Sequence, residues 1–155
     1  MGFYQLKTKQ VIPASVDEAW DFISSPRNLK EITPPYMGFD IVSDGLPEKM
    51  YPGMIIAYKV RPLLGIPVTW VTEITHVVDK QMFVDVQRVG PYALWHHQHM
   101  IEPCPEGVLM TDIVSYKPPF GFLGSIANAL VIRKKLAEIF HFRKQALEKR
   151  FGKAE

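Results

Sequence analysis

Hydrophobic and polar positions alternate with two different periods along this chain, and the change of period divides it. From Tyr36 to Lys117 the segments Met37 to Ser43, Met54 to Arg61, Val68 to Val78, Met82 to Val89, Ala93 to Glu102 and Val108 to Lys117 are rich in β-branched and aromatic residues. Asp44-Gly45, Pro52-Gly53, Gly65, Asp79-Lys80, Gly90-Pro91 and Pro105-Glu106-Gly107 punctuate them as turns, and connections this short predict antiparallel neighbours. Leu123 to Gly152 changes to helical spacing. Ile126, Ala129, Leu130, Leu136, Ile139, Phe140, Leu147 and Phe151 form its expected apolar stripe.

Ahead of the strand region, the mixed alternation of Phe3 to Ile12 predicts a first strand ending at Pro13. Ser15 followed by Glu18 reads as a capping box opening a helix that buries Val16, Ala19, Trp20 and Ile23. A second short helix is expected with Ser25 as cap, Pro26 at the first position, and Leu29 and Ile32 inward. Thr33, Pro34 and Pro35 end it, because proline lacks a donor and disfavours helix in the residue before it. The expected fold is therefore α+β: a curved seven-stranded antiparallel sheet, with two short helices after strand 1, wrapped around a long C-terminal helix. Such a grip leaves a hollow between sheet and helix. The stretch Tyr51 to Pro67 reads either as an ordinary exposed hairpin or as one over the mouth of that hollow.

The length of 155 residues suits one domain spanning residues 1–155. Hydrophobic residues at 47% and charged residues at 22% are those of a globular chain, which argues against disorder. Cys104 has no partner for an internal disulfide, and no secretory segment or membrane span is evident, so a cytoplasmic setting is expected. A net charge of +2 is too small to imply nucleic acid. Arg133, Lys134, Lys135, Arg143, Lys144, Lys149, Arg150 and Lys153 nonetheless concentrate positive charge on the last helix, as a solvated face or one directed at an anionic membrane surface.

Candidate chemistry lies inside the sheet. Alternate strand residues share a face, so Trp95, His97 and His99 point one way, as do Phe83, Asp85 and Gln87 on the preceding strand. A three-residue loop at Gly90-Pro91-Tyr92 would set Gln87 beside Trp95, Asp85 beside His97 and Phe83 beside His99. Glu73 on one flank and Asp112 with Tyr116 on the other extend the row if their turns preserve parity, since a one-residue change flips a strand's faces. Arg143 shares the helical stripe with Leu136, Phe140 and Leu147. Its guanidinium either reaches the hollow to pair with a carboxylate or snorkels to the surface. Acids and imidazoles among large apolar side chains are the makings of a small-molecule site; the opposite reading makes the row an exposed convex face.

The order strand, two short helices, six strands and long helix resembles the helix-grip fold of the START and polyketide cyclase (SRPBCC) superfamily over nearly the whole chain. Val16 to Pro35 ("VDEAWDFISSPRNLKEITPP"), Trp70 to Ile74 ("WVTEI"), Phe83 to Trp95 ("FVDVQRVGPYALW"), His97, His99 and Met110 to Pro118 ("MTDIVSYKP") are similar to one bacterial ligand-binding branch. Gly121, Gly124, Phe140 and Arg143 continue the pattern. The resemblance implies a cavity for a hydrophobic ligand and a cytoplasmic location, with no cofactor. Glu73, Asp85, Gln87, Trp95, His97, His99 and Asp112 match the branch by position.

Three functions follow as expectations. The first is binding or transport of an apolar small molecule, a lipid, quinone or aromatic polyketide. The second is a cyclase or dehydratase in which His97 or His99 moves a proton, Asp85 orients the ring, and Tyr116 or Arg143 steadies an enolate. The third is metal binding, because His97 and His99 lie two apart on a strand and could hold zinc or iron with a carboxylate; no spacing supplies a third ligand, and no metal is assigned. Ser115 and Ser125 lack the glycine context of a hydrolase elbow, and no phosphate loop or paired-cysteine zinc site is visible.

Overall fold

The computed structural model describes residues 2–62 and 65–154. The expected hairpin over Tyr51 to Pro67 includes Leu63 and Leu64, which lie outside the described residues. β1 (Tyr4–Ile12) leads into α1 (Val16–Ile23), where Ser15 and Glu18 form the capping box: Glu18 N–H donates to Ser15 Oγ at 3.2 Å and Ser15 N–H donates to Glu18 Oε2 at 2.9 Å. The next element is a 3-10 turn, Pro26–Lys30, instead of an α-helix, and Ser25 makes no side-chain cap; its backbone carbonyl accepts from Asn28 N–H at 3.2 Å. Leu29 is half-buried and Ile32 buried, as expected.

β2 (Asp40–Ile41), β3 (Met54–Val60), β4 (Val68–Val78), β5 (Met82–Val89), β6 (Leu94–Cys104) and β7 (Gly107–Lys117) join β1 in one antiparallel sheet of order β1-β7-β6-β5-β4-β3-β2. β2 is far shorter than the expected Met37 to Ser43. A 3-10 turn at Pro35–Met37 and left-handed Gly38 (φ 53°) hold the chain off the sheet until Asp40.

The C-terminal helix begins at Gly121 and runs to Phe151 as α2 (Gly121–Ala127), a π turn (Asn128–Ile132) and α3 (Arg133–Phe151). Its first turns are phased differently from the expected stripe: Gly124, Asn128 and Ile132 face inward, while Ile126, Ala129 and Leu130 are exposed. Spacing by four drifts around an α-helix, and the wider π turn offsets that drift, keeping both Asn128 and Ile132 on the buried side. Gly124 is required there, because a Cβ would collide with the Pro119 carbonyl oxygen. From Leu136 onward Leu136, Phe140 and Leu147 meet the sheet as expected, and Arg143 is buried with them, which decides against snorkelling.

Two apolar clusters fill the grip. One gathers Trp20, Phe22, Met54, Ile74, Phe83, Ile101, Met110 and Leu147 beneath α1; the other gathers Phe39, Val60, Trp70, Trp95, Val114, Tyr116, Leu136 and Phe140. Each central element passes from one cluster to the other through polar residues. On β6, His97 and His99 lie between Trp95 and Ile101; on β7, Asp112 lies between Val114 and Met110; on α3, Arg143 lies between Phe140 and Leu147.

Candidate functional site

Those polar residues meet on the concave face. The β5–β6 register sets Phe83 opposite His99 and Asp85 opposite His97, and the β6–β7 register sets His99 opposite Asp112 and Trp95 opposite Tyr116. His97, His99, Asp112 and Arg143 are all buried and Asp85 nearly so, which excludes the exposed-face reading.

Asp112 Oδ1 is the hub. It lies 3.0 Å from His97 Nε2, 3.0 Å from His99 Nδ1 and 3.3 Å from Arg143 Nη2. Asp85 takes the other side: its Oδ2 is 2.7 Å from His99 Nε2 and 3.4 Å from His97 Nδ1, and its Oδ1 accepts from Trp95 Nε1 at 3.3 Å. Burial pushes both carboxyls up, but charge and hydrogen bonds win: Arg143 and both histidines hold Asp112 well below the usual range, and the histidines with Trp95 hold Asp85 below it. Burial also pulls both imidazoles down. For His99, contacts to Asp112 and Asp85 overcome it and raise the pKa, whereas His97, repelled also by its charged neighbour, ends below its ordinary value.

We assign His99 as an imidazolium donating to both acids and His97 as a neutral ring donating Nε2–H to Asp112. The set then balances, with two anions against His99 and Arg143, and the unprotonated Nδ1 of His97 faces Asp85 Oδ2 at 3.4 Å. At a pH near the ordinary histidine value of about 6.5, nitrogen chemical shifts should show His99 mostly protonated and His97 mostly neutral. The same protonation state in both rings would refute the assignment.

The hollow beside this set is lined by Phe39, Tyr58, Trp70, Tyr92, Trp95 and Phe140, with Phe83, Asp85, His97, His99 and Arg143 at its polar end. Its free interior, as room for the centre of a water-sized sphere, is about 150 Å³. Thr72 adds a second polar point, receiving Trp70 Nε1–H at 3.1 Å and lying 2.9 Å from the Tyr58 hydroxyl. Burial and the charge of Asp85 push the Tyr58 phenol far up, so it is a neutral hydroxyl. Arg143 Nε is the one buried side-chain nitrogen or oxygen among the described residues without a hydrogen-bond partner.

Four expected site residues do not line the hollow. Glu73 faces the opposite side of the sheet and pairs with Arg88. The reason is a bulge between Ile74 and His76: Val78 opposes Met82, but after the extra residue Ile74 opposes Asp85 and Glu73 opposes Val86. Gln87 keeps its expected parity but folds onto the β5–β6 turn, donating to Tyr92 O at 2.7 Å and accepting from Tyr92 N–H at 3.2 Å. Tyr116 is buried behind Trp95 and Tyr92, and its hydroxyl donates to Asn128 Oδ1 at 2.9 Å, so it does not offer that group to the hollow. Asp112 lies behind the imidazoles and lines instead, with Arg143, a groove between β1 and α3.

Tyr58, Trp70, Thr72 and Tyr92 are site residues that the sequence reading does not single out. For the first three the signal is present: Met54, Ile56, Tyr58 and Val60 alternate on one face, as do Trp70, Thr72 and Ile74 on its partner strand. Tyr92 sits in a turn, where alternation carries no information.

Asp85, His97 and His99 bring one oxygen and two nitrogens within 4.8 Å of one another. The imidazoles, however, are layered at 3.6 Å between centroids with 36° between planes, so no single point lies at bonding distance in both ring planes. As arranged, the trio is a hydrogen-bonded ion pair and its neighbour; a shared metal would require one ring to turn out of the layer.

No family model and no curated protein matches this chain. Solved structures with the same fold include protein CV1439 from Chromobacterium violaceum, at TM-score 0.71 and 11% identity over 96% of this chain and 97% of that one. TTHA0849 from Thermus thermophilus aligns at TM-score 0.70 and 16% identity over 96% and 97%. Ara h 8.0201 aligns at 0.60 and 14% over 96% and 99%. The architecture is the helix-grip fold, a seven-stranded antiparallel sheet closed by a long C-terminal helix.

Proposed function

We propose that the chain binds and carries an apolar small molecule whose polar end is a hydrogen-bond acceptor, such as the carbonyl of a lipid, quinone or aromatic polyketide. The observation that carries this reading is an aromatic-walled hollow that ends on the buried side chains of Asp85, His97, His99 and Arg143, the last with its Nε unpartnered. A buried donor left unpaired is costly, and a small turn of the Arg143 side chain toward a ligand oxygen would relieve it. The aromatic walls would supply affinity through apolar burial, at roughly 25 cal/mol per Å². The polar end would select among ligands. Half-buried, unpaired Cys104 suits a reducing cytoplasm. No helix among the described residues is long and apolar enough to cross a membrane.

Trp70 and Trp95 line the hollow, so intrinsic fluorescence reports occupancy. Ligands carrying a carbonyl should bind about tenfold or more tightly than their hydrocarbon isosteres, the expected worth of a hydrogen bond to a charged donor. Failure of fatty acyl, quinone and aromatic carbonyl compounds alike to bind would end the proposal. A cyclase or dehydratase is the second reading, favoured by a buried His97 that lines the cavity with its Nδ1 3.4 Å from Asp85 Oδ2. If it is right, His97→Gln abolishes turnover while ligand affinity stays within a few fold; equal loss of both points to binding.

A further inference from the structure

Beside the hollow lies the least covered apolar segment among the described residues. Phe120 is 83% exposed, Phe122 74%, Leu123 63% and Leu130 72%, and Ile126 and Val131 are also exposed. Scattered exposed apolar residues are ordinary, but six within twelve positions on one helix end form a patch. Phe120, Leu123 and Ala127 border a groove that shares Pro62, Tyr92, Leu136 and Ile139 with the wall of the main cavity. The patch and the cavity therefore share a wall.

Charge indicates what covers it. From Lys117 to Ala137 there is no acidic residue, while Lys117, Arg133, Lys134 and Lys135 carry positive charge. Phe122, Ile126, Leu130 and Lys134 follow one another at spacing of four, so the outward row ends in a cation, with Arg133 beside it. Aromatic and aliphatic groups bounded by lysine and arginine suit the interface of an anionic bilayer, where apolar groups enter the acyl boundary and cations meet headgroups. A second copy suits the patch less well, because symmetric pairing would bring its basic residues together.

We propose that α2 and the π turn dock on anionic lipid membranes and set the wall that the groove shares with the cavity against the bilayer, so that an apolar ligand enters there without crossing water. The loading role rests on the binding function proposed above; the docking itself does not.

The test is co-sedimentation of the full chain with vesicles of phosphatidylcholine alone or mixed with phosphatidylglycerol. Strong uptake is expected only on the mixed vesicles, falling with added salt. The exposed pair Phe122→Ser and Leu130→Ser should weaken it at least about tenfold. Lys134→Glu should weaken it by more than the roughly fivefold expected for one lost cation. Unchanged thermal unfolding of these variants checks that the fold is intact. Docking is overturned by equal uptake on both vesicles, by no uptake, or by a serine pair that binds as wild type. It is also overturned if the serine pair merely converts a dimer to a monomer in analytical ultracentrifugation while vesicles take up neither form. Ligand affinity measured without vesicles should be unchanged in the serine pair; absence of cavity binding in wild type, with docking intact, would sink the carrier function and leave the docking surface standing.

Discussion

Asp112→Ala is expected to destabilise the protein by about 3–5 kcal/mol, the range for removing one partner of a buried ion pair. One carboxylate oxygen meets His97, His99 and Arg143, and the substitution leaves Arg143 buried with no anion in contact. Urea denaturation at neutral pH measures the loss. The comparison variant is Glu73→Gln, whose partly exposed pairing with Arg88 should be worth at most about 1 kcal/mol. Similar losses in the two variants would show that the buried set does not hold the sheet to the helix. Asp112 has a folded pKa below its unfolded value of about 3.9, so its contribution is present above that pH and disappears as pH falls through the folded value. His99 has the opposite sign: its contribution is complete below about 6.5 and is lost as pH rises through its raised folded value.

Phe83→Ala should cost about 3–5 kcal/mol, because the ring is fully buried and nothing adjacent can collapse into its place without disturbing the polar set. The ring stacks on His99 with centroids 4.1 Å apart and 14° between planes, and meets Trp20 edge-on at 6.2 Å. It is both the core beneath α1 and a wall of the hollow. The variant should therefore unfold at lower urea and, where folded, accept bulkier ligands than wild type does. A loss below about 1 kcal/mol would mean that the surrounding core closes over the gap, and ligand size preference would then be unchanged.

How far the chain could be read depended on how local each cause was. The capping box at Ser15 and Glu18 is settled within four residues, and the structure has it. The facing of Phe83, Asp85, Trp95, His97 and His99 follows from parity on two strands joined by a short loop, and the register agrees. Glu73 was ambiguous because parity survives only an unbroken ladder, and the bulge near Thr75 has no marker such as glycine. The row Ile126, Ala129 and Leu130 was misplaced for a related reason. A π turn changes helical phase, and an apolar pattern alone does not say which face the rest of the chain will cover.

Hydrophobic periodicity, turn chemistry and cap residues by themselves determined the element order and the helix-grip architecture, because each acts over a few residues and together they leave few ways to bury the apolar faces. Tertiary structure alone decided that Asp112 serves both imidazoles, that Arg143 turns inward with Nε unpaired, that Tyr116 spends its hydroxyl on Asn128, and that Thr72 replaces Glu73 on the concave face. Those outcomes depend on ladder irregularities and on the stand-off of a helix packed from the far end of the chain. Such distances arise from the sum of many side-chain volumes, and no local pattern encodes them.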